Sequence, residues 1–224
     1  MIAATSHYPD FGLTIIKNKS IHLTYRHPTY NKKQPSGHFH QDALSITLSI
    51  NGHPILVDPG SYLYTANPTW RNFMRGQDCH NGPRAVRRSF MQSRDLFQNQ
   101  IQEQKDTAII HEKDNKISIE NYYLTQTRKI SLERNKLLIE DWVTQDTIWN
   151  FIFAPEIEMI RNKNIFLINK ENSTFATLES TLVFKPETGF YSESYGKIKK
   201  CVKLVGGNKI SKTIYHKILI TLKY

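Results

Sequence analysis

Two imidazoles separated by one residue, His38 and His40 within Gly37-His38-Phe39-His40-Gln41-Asp42, are the side chains of this sequence best placed to do chemistry. In extended backbone, side chains two apart leave the same face, so both rings would point to one side. Neutral imidazole is the commonest protein ligand for zinc, and Asp58 and His80 would complete a mixed nitrogen and oxygen set. Two groove histidines without any metal have the same spacing, and the pattern by itself leaves both readings open.

These residues need elements to hold them. Leu44, Ile46, Leu48 and Ile50 alternate with Ser45, Thr47 and Ser49, the period of a half-buried strand. Asn51-Gly52 follows, a pair that accepts positive φ and predicts a tight type I′ turn, and Ile55-Leu56-Val57 forms the return strand until Asp58-Pro59-Gly60 stops it. Regular pairing across that turn sets Asp58 opposite Ser45, five residues from His40 and so roughly 16 Å away at strand rise. A metal shared by His40 and Asp58 therefore requires the chain before Leu44 to fold back, or a strong twist or bulge to intervene.

Further β-rich runs are expected at 117–124, 128–133, 136–143, 149–154, 164–169, 177–184, 200–205 and 213–223. With turn residues between them they predict an all-β, antiparallel β-sandwich of stacked sheets, read as one domain over 1–224, with one weak helical stripe near 89–105. Trp142 and Trp149 are expected in the core, Trp70 is a possible sugar-stacking ring, and Tyr62 and Tyr64 are expected to pack on a strand. His22, His27, His53, His111 and His216 stand outside the motifs and are expected to be exposed.

The 224 residues carry a formal charge of +10, which draws polyanions to the surface without choosing among them. No basic run interleaved with aromatics and no recognition helix marks a nucleic-acid groove, so nucleic acid is not the expected partner. Cys79 and Cys201 are too few and too far apart in sequence for a disulfide framework or a thiolate cage. No segment has the length of a membrane-spanning helix, and the first ten residues have no signal-peptide pattern, opening like the middle of a longer protein.

Three families use His-x-His in related ways. A metallo-β-lactamase-like hydrolase would continue with His where Ala43 stands, and a cupin-like oxygenase would need a Glu where the apolar strand begins. The third matches most of the chain. Tyr8-Pro9-Asp10-Phe11-Gly12, Gly37 to Leu44, Asp58-Pro59-Gly60-Ser61-Tyr62-Leu63-Tyr64, Trp70-Arg71-Asn72-Phe73-Met74-Arg75 and His80-Asn81 resemble successive signatures of the C-terminal β-sandwich of heparinase II/III polysaccharide lyases. Arg128-Lys129-Ile130, Glu140-Asp141, Phe151 to Glu156 and Ser192 to Gly196 follow in the same order. The sequence departs from that pattern at Gly76-Gln77-Asp78 and at Gly82-Pro83, so the loop after Arg75 is expected to differ.

The resemblance implies cleavage of an acidic polysaccharide, a glycosaminoglycan or alginate, by β-elimination. A base takes the C5 proton of a uronic acid, an acid protonates the leaving C4 oxygen, and no water is consumed. In such proteins an N-terminal α/α toroid supplies the central catalytic groups, while the sandwich closes the groove, contributes a histidine and holds a structural zinc. Carried onto this sequence, the metal ligands are His40, Asp58 and His80 and the catalytic groove histidine is His38. Arg71 and Arg75, in a basic stretch with Arg84, Arg87 and Arg88, are candidates for the sugar carboxylates, against the plainer reading of a solvated loop. The resemblance also implies a toroid domain as partner, no turnover by this chain alone, and a bacterial periplasm or cell envelope. The competing readings are a non-catalytic carbohydrate-binding or scaffold module that keeps a structural zinc, and a metal-dependent hydrolase or oxygenase that chelators would silence.

Overall fold

The computed structural model describes residues 3–27, 40–86, 108–114, 116–123, 125–162, 165–208 and 213–223. His38, Arg87, Arg88 and the helical stripe expected near 89–105 lie outside them. Among the described residues, seventeen strands, all paired antiparallel, form three sheets. The first sheet runs in chain order: β1 (Ala4–Tyr8), β2 (Leu13–Lys17), β3 (Ile21–Arg26), β4 (Ile46–Ile50) and β5 (His53–Leu56). A short helix α1 (Pro68–Arg75) and a single 3-10 turn (Gln77–Cys79) lead to β6 (Pro83–Ala85).

Next come β7 (Ile109–Lys113), β8 (Lys116–Tyr123), β9 (Gln126–Glu133), β10 (Lys136–Val143), β11 (Thr147–Ile152), β12 (Glu158–Asn162), β13 (Ile165–Lys170) and β14 (Ser173–Ser180). The last three strands are β15 (Phe184–Ser194), β16 (Lys197–Asn208) and β17 (Ile214–Leu222). They complete an eight-stranded sheet in the order β12-β13-β14-β17-β10-β9-β8-β7 and a four-stranded sheet in the order β15-β16-β11-β6.

One continuous apolar core lies between the sheets. Ile16, Leu23 and Leu48 of the first sheet, Ile130, Ile139 and Ile220 of the second, and Phe151, Phe184 and Leu204 of the third all pack into it. The all-β sandwich of stacked antiparallel sheets is thus the architecture, and the inward set Leu44, Ile46, Leu48 and Ile50 is fully buried. The sheets are stitched where β5 ends: Leu56 bridges Phe153, and the Val57 amide donates to the Ile152 carbonyl beyond the end of the first sheet.

Several expectations are corrected. The run 177–184 is two elements, because the chain turns after Ser180, whose Oγ accepts the Leu182 amide. Trp149 is buried, but Trp142 is only half-buried, since strand alternation puts it on the outer face against Tyr215. Tyr62 and Tyr64 sit in an irregular loop, not on a strand. His27 and His216 are buried: His27 Nε2 lies 2.6 Å from Thr14 Oγ1, and His216 packs edge-on against Trp149. The alternation of Ile21, Leu23 and Tyr25 in β3 and the Asn67-Pro68 start of α1 are sequence signals that were passed over.

Candidate metal centre

The turn at Asn51 and Gly52 has positive φ at both residues, as a type I′ hairpin requires. From there the register departs from a regular hairpin. Ile50 pairs with His53 and Ser49 with Pro54, but Leu48 pairs with Leu56, a bulge that adds a residue to β5. β5 then leaves its sheet, so Asp58 never faces Ser45 across a ladder.

On the other side, the chain before β4 folds back. Leu44 takes φ 63°, a left-handed conformation rare for a leucine, and the Ser45 amide donates to the Asp42 carbonyl. The Gln41 amide donates to the carbonyl of Arg75, which fastens the His40 segment to the C-terminal end of α1. That helix starts at Pro68 because Asn67 caps it, its side chain accepting the Trp70 amide, and proline suits the first turn. A shared metal required either a fold-back or a bulge, and the structure has both.

The result brings His40, Asp58 and His80 together, with one ligand atom from each lying within 4.8 Å of the others. His80 Nδ1 is 3.1 Å from Asp58 Oδ2, the two rings stand 5.3 Å apart at 49°, and Ser61 Oγ lies 3.3 Å from His40 Nε2. His80 is buried, with an Nε2 that makes no hydrogen bond among the described residues. His40 is half-buried, and the Asp58 side chain is 45% exposed, which leaves a solvent route to the group. Two imidazoles and a carboxylate at this separation are a donor set that could hold a metal ion.

The electrostatics agree. Burial, reinforced by the charge of His80, lowers the His40 pKa to about 4, so the ring is neutral and its lone pair free at pH 7. Burial alone would raise Asp58. The His80 hydrogen bond and the charges of His80 and His40, with the Gly60 amide, instead bring it down to about 2. For His80, burial opposes the charged form, but the hydrogen bond and charge of Asp58 outweigh it and hold the pKa above the ordinary value. Asp58 thus favours a proton on His80 in the absence of metal, and a bound cation would displace it. Cys79 is adjacent in sequence but not in the group, and burial pushes its thiol up to about 12.

Arg71 and Arg75 are not a solvated loop. They sit at 4% and 6% exposure on the inner side of α1, near each other and Tyr64. Burial and the neighbouring Arg71 charge lower the Arg75 pKa, and Arg75 is within electrostatic reach of His40. Arg84 pairs instead with Asp78 at 2.6 Å. Trp70 packs edge-on against Tyr62, Phe73 and Phe190.

Sequence reasoning missed Ser61 and the electrostatic part of Asp42, which pairs with Arg26 at 3.0 Å while acting on both histidines. It also missed what Asn81 does. That side chain, directly after His80, donates to the Ile46 and Val57 carbonyls and accepts the Ile152 amide. Its place in the motif next to His80 was the one available signal.

Among the described residues, no helix is long and apolar enough to cross a membrane. No curated protein sequence matches the chain. Solved structures do resemble it. A crystal structure of heparinase III aligns with TM-score 0.76 and 14% identity, covering 98% of this chain and 36% of that one. A heparan sulfate lyase, HepC from Pedobacter heparinus, aligns with TM-score 0.74 and 15% identity, covering 97% and 36%. The chain thus spans about a third of the length of these structures, and at such identity the likeness establishes the fold. The family model described as "Heparinase II/III-like, C-terminal" matches residues 3–211, and the chain belongs to that family.

Proposed function

We propose that this chain is the β-sandwich part of a polysaccharide lyase that cleaves uronic-acid-containing chains by β-elimination, and that it holds a structural zinc on His40, Asp58 and His80. The observation that carries the reading is the convergence of these three side chains from distant segments, in a member of the heparinase II/III-like C-terminal family. Bound there, the zinc would supply cross-linking of the three loops, with the two neutral imidazoles and the carboxylate as its donors. His38 belongs to the same proposal as the histidine that faces the sugar groove, and Arg71 and Arg75 as the charges behind that wall. The central acid and base chemistry is assigned to a toroid domain, so this chain alone should release no unsaturated uronate. Periplasm or cell envelope is the matching location.

Elemental analysis of the purified chain tests the centre. One zinc per chain is expected in the wild type and none in His40→Ala or Asp58→Ala, and a folded, metal-free wild type would refute it. Ultraviolet detection of unsaturated uronate from heparan sulfate, chondroitin sulfate or alginate by the chain alone would refute the division of labour.

A further inference from the structure

The sequence pattern singled out Arg128 and Asp141, and nothing in the proposed chemistry uses them. Both side chains are 0% exposed. Arg128 Nε and Nη2 donate to Asp141 Oδ1 and Oδ2, each at 2.7 Å, a bidentate pair between neighbouring strands β9 and β10. Trp149 Nε1, from β11 in another sheet, donates to the same Asp141 Oδ2 at 2.8 Å. An ion pair taken wholly out of water contributes little net stability, because desolvation cancels most of the attraction. Its place in the molecule therefore calls for another account.

The remaining donors of Arg128 supply it. Nη1 donates to two backbone carbonyls, those of Leu44 and Asn81, both at 2.9 Å. Leu44 is the left-handed residue at which the His40 segment folds back, and Asn81 follows His80. Asn81 in turn donates through Nδ2 to the carbonyl of Val57, the residue before Asp58, at 2.9 Å, and its backbone amide donates to Ser45 Oγ at 3.0 Å. Each of the three segments that carry a ligand is thus gripped close to that ligand by a rigid polar group. A planar guanidinium with its fork filled by a carboxylate cannot swing to release one carbonyl without losing the other.

We infer that the buried Arg128–Asp141 pair, acting through Asn81 and the Leu44 carbonyl, is the positioning device of the metal centre, holding the three ligand segments at binding distance before metal arrives. The inference rests on the zinc reading above. It makes Arg128, Asp141 and Asn81 positioning residues, with Trp149 orienting Asp141. A clamp that served the fold alone would lower thermal stability and leave affinity for metal untouched.

The test separates these effects by zinc competition against a chromophoric chelator, alongside melting curves with and without zinc. Arg128→Lys keeps the charge but cannot bridge the two carbonyls and both carboxylate oxygens. Trp149→Phe keeps the ring and removes one hydrogen bond to Asp141, a milder change for use if Arg128→Lys does not fold. Leu178→Ala, on β14 two strands from β10, is the control that destabilises the core at a distance. Arg128→Lys should bind zinc about 10–100-fold more weakly, as loss of a partner behind metal ligands does, with a smaller loss in the same direction for Trp149→Phe. Leu178→Ala should melt lower and bind zinc like the wild type. Wild-type affinity in the folded network variant would overturn the inference and leave the zinc reading standing. A wild type that binds no zinc would overturn both.

Discussion

His40 and His80 share a group of side chains yet respond oppositely to acid. Burial keeps His40 neutral down to about pH 4, whereas Asp58 makes His80 hold its proton above the ordinary value of 6.5. In chelator, stability should therefore rise between about pH 4 and 6.5, where the unfolded chain binds a proton that folded His40 refuses. Above 6.5 it should fall, as folded His80 keeps a proton that the unfolded chain releases. Asp58, with its pKa brought down to about 2 from 3.8, adds stability above the higher value that is lost as pH drops through the lower. Melting temperatures of the metal-free protein from pH 4 to 9 test this: His40→Gln should abolish the rise, and His80→Gln the fall. Candidate donors were legible from residue type, and the family's motifs narrowed them to His40, Asp58 and His80. Their protonation was not legible, because the shifts come from burial and from partners brought in by the fold.

At the scale of elements, the loop after β5 must put Asp58 in place while leaving its sheet. Gly60 has φ +73°, and a Cβ there would strike the Ser192 carbonyl, so the loop lies flat on β15 only with glycine. Gly52 also has positive φ, but a Cβ there meets nothing within 4 Å. Gly52→Ala should cost about 1 kcal/mol, the backbone strain alone. Gly60→Ala should cost more by urea unfolding and should also weaken zinc binding, because the Gly60 amide donates to Asp58 Oδ1. Equal losses in the two variants, with unchanged zinc binding, would show that the Ser192 contact is dispensable. The hairpin itself was readable from Asn51-Gly52 and the alternation before it. The bulge at Leu48 and Ser49 and the left-handed Leu44 were not, since both are imposed by contacts with β11, α1 and Arg26.

For the whole molecule, the formal charge of +10 would suit the polyanionic substrate proposed above, and exposed lysines such as Lys185, Lys197 and Lys200 line the strands β15 and β16. Binding of the chain to immobilised heparin should weaken steeply as salt rises from roughly 0.05 to 0.5 M, because such contacts are exposed and screened. Salt-independent retention would point to a buried, stacking-driven mode instead. What the sequence by itself determined is the fold class, the hairpin and most of the strands, because alternation and turn chemistry are local properties, while His40, Asp58 and His80 were offered as ligands by residue type and set apart from His38 by the family's motifs. The tertiary structure alone decided that these three meet. A regular hairpin keeps His40 and Asp58 apart, and only the crossing of β5 between sheets, the fold-back at Leu44 and the buried grip of Arg128 and Asn81 close the distance. Those are interactions between residues tens of positions apart, which no local pattern records.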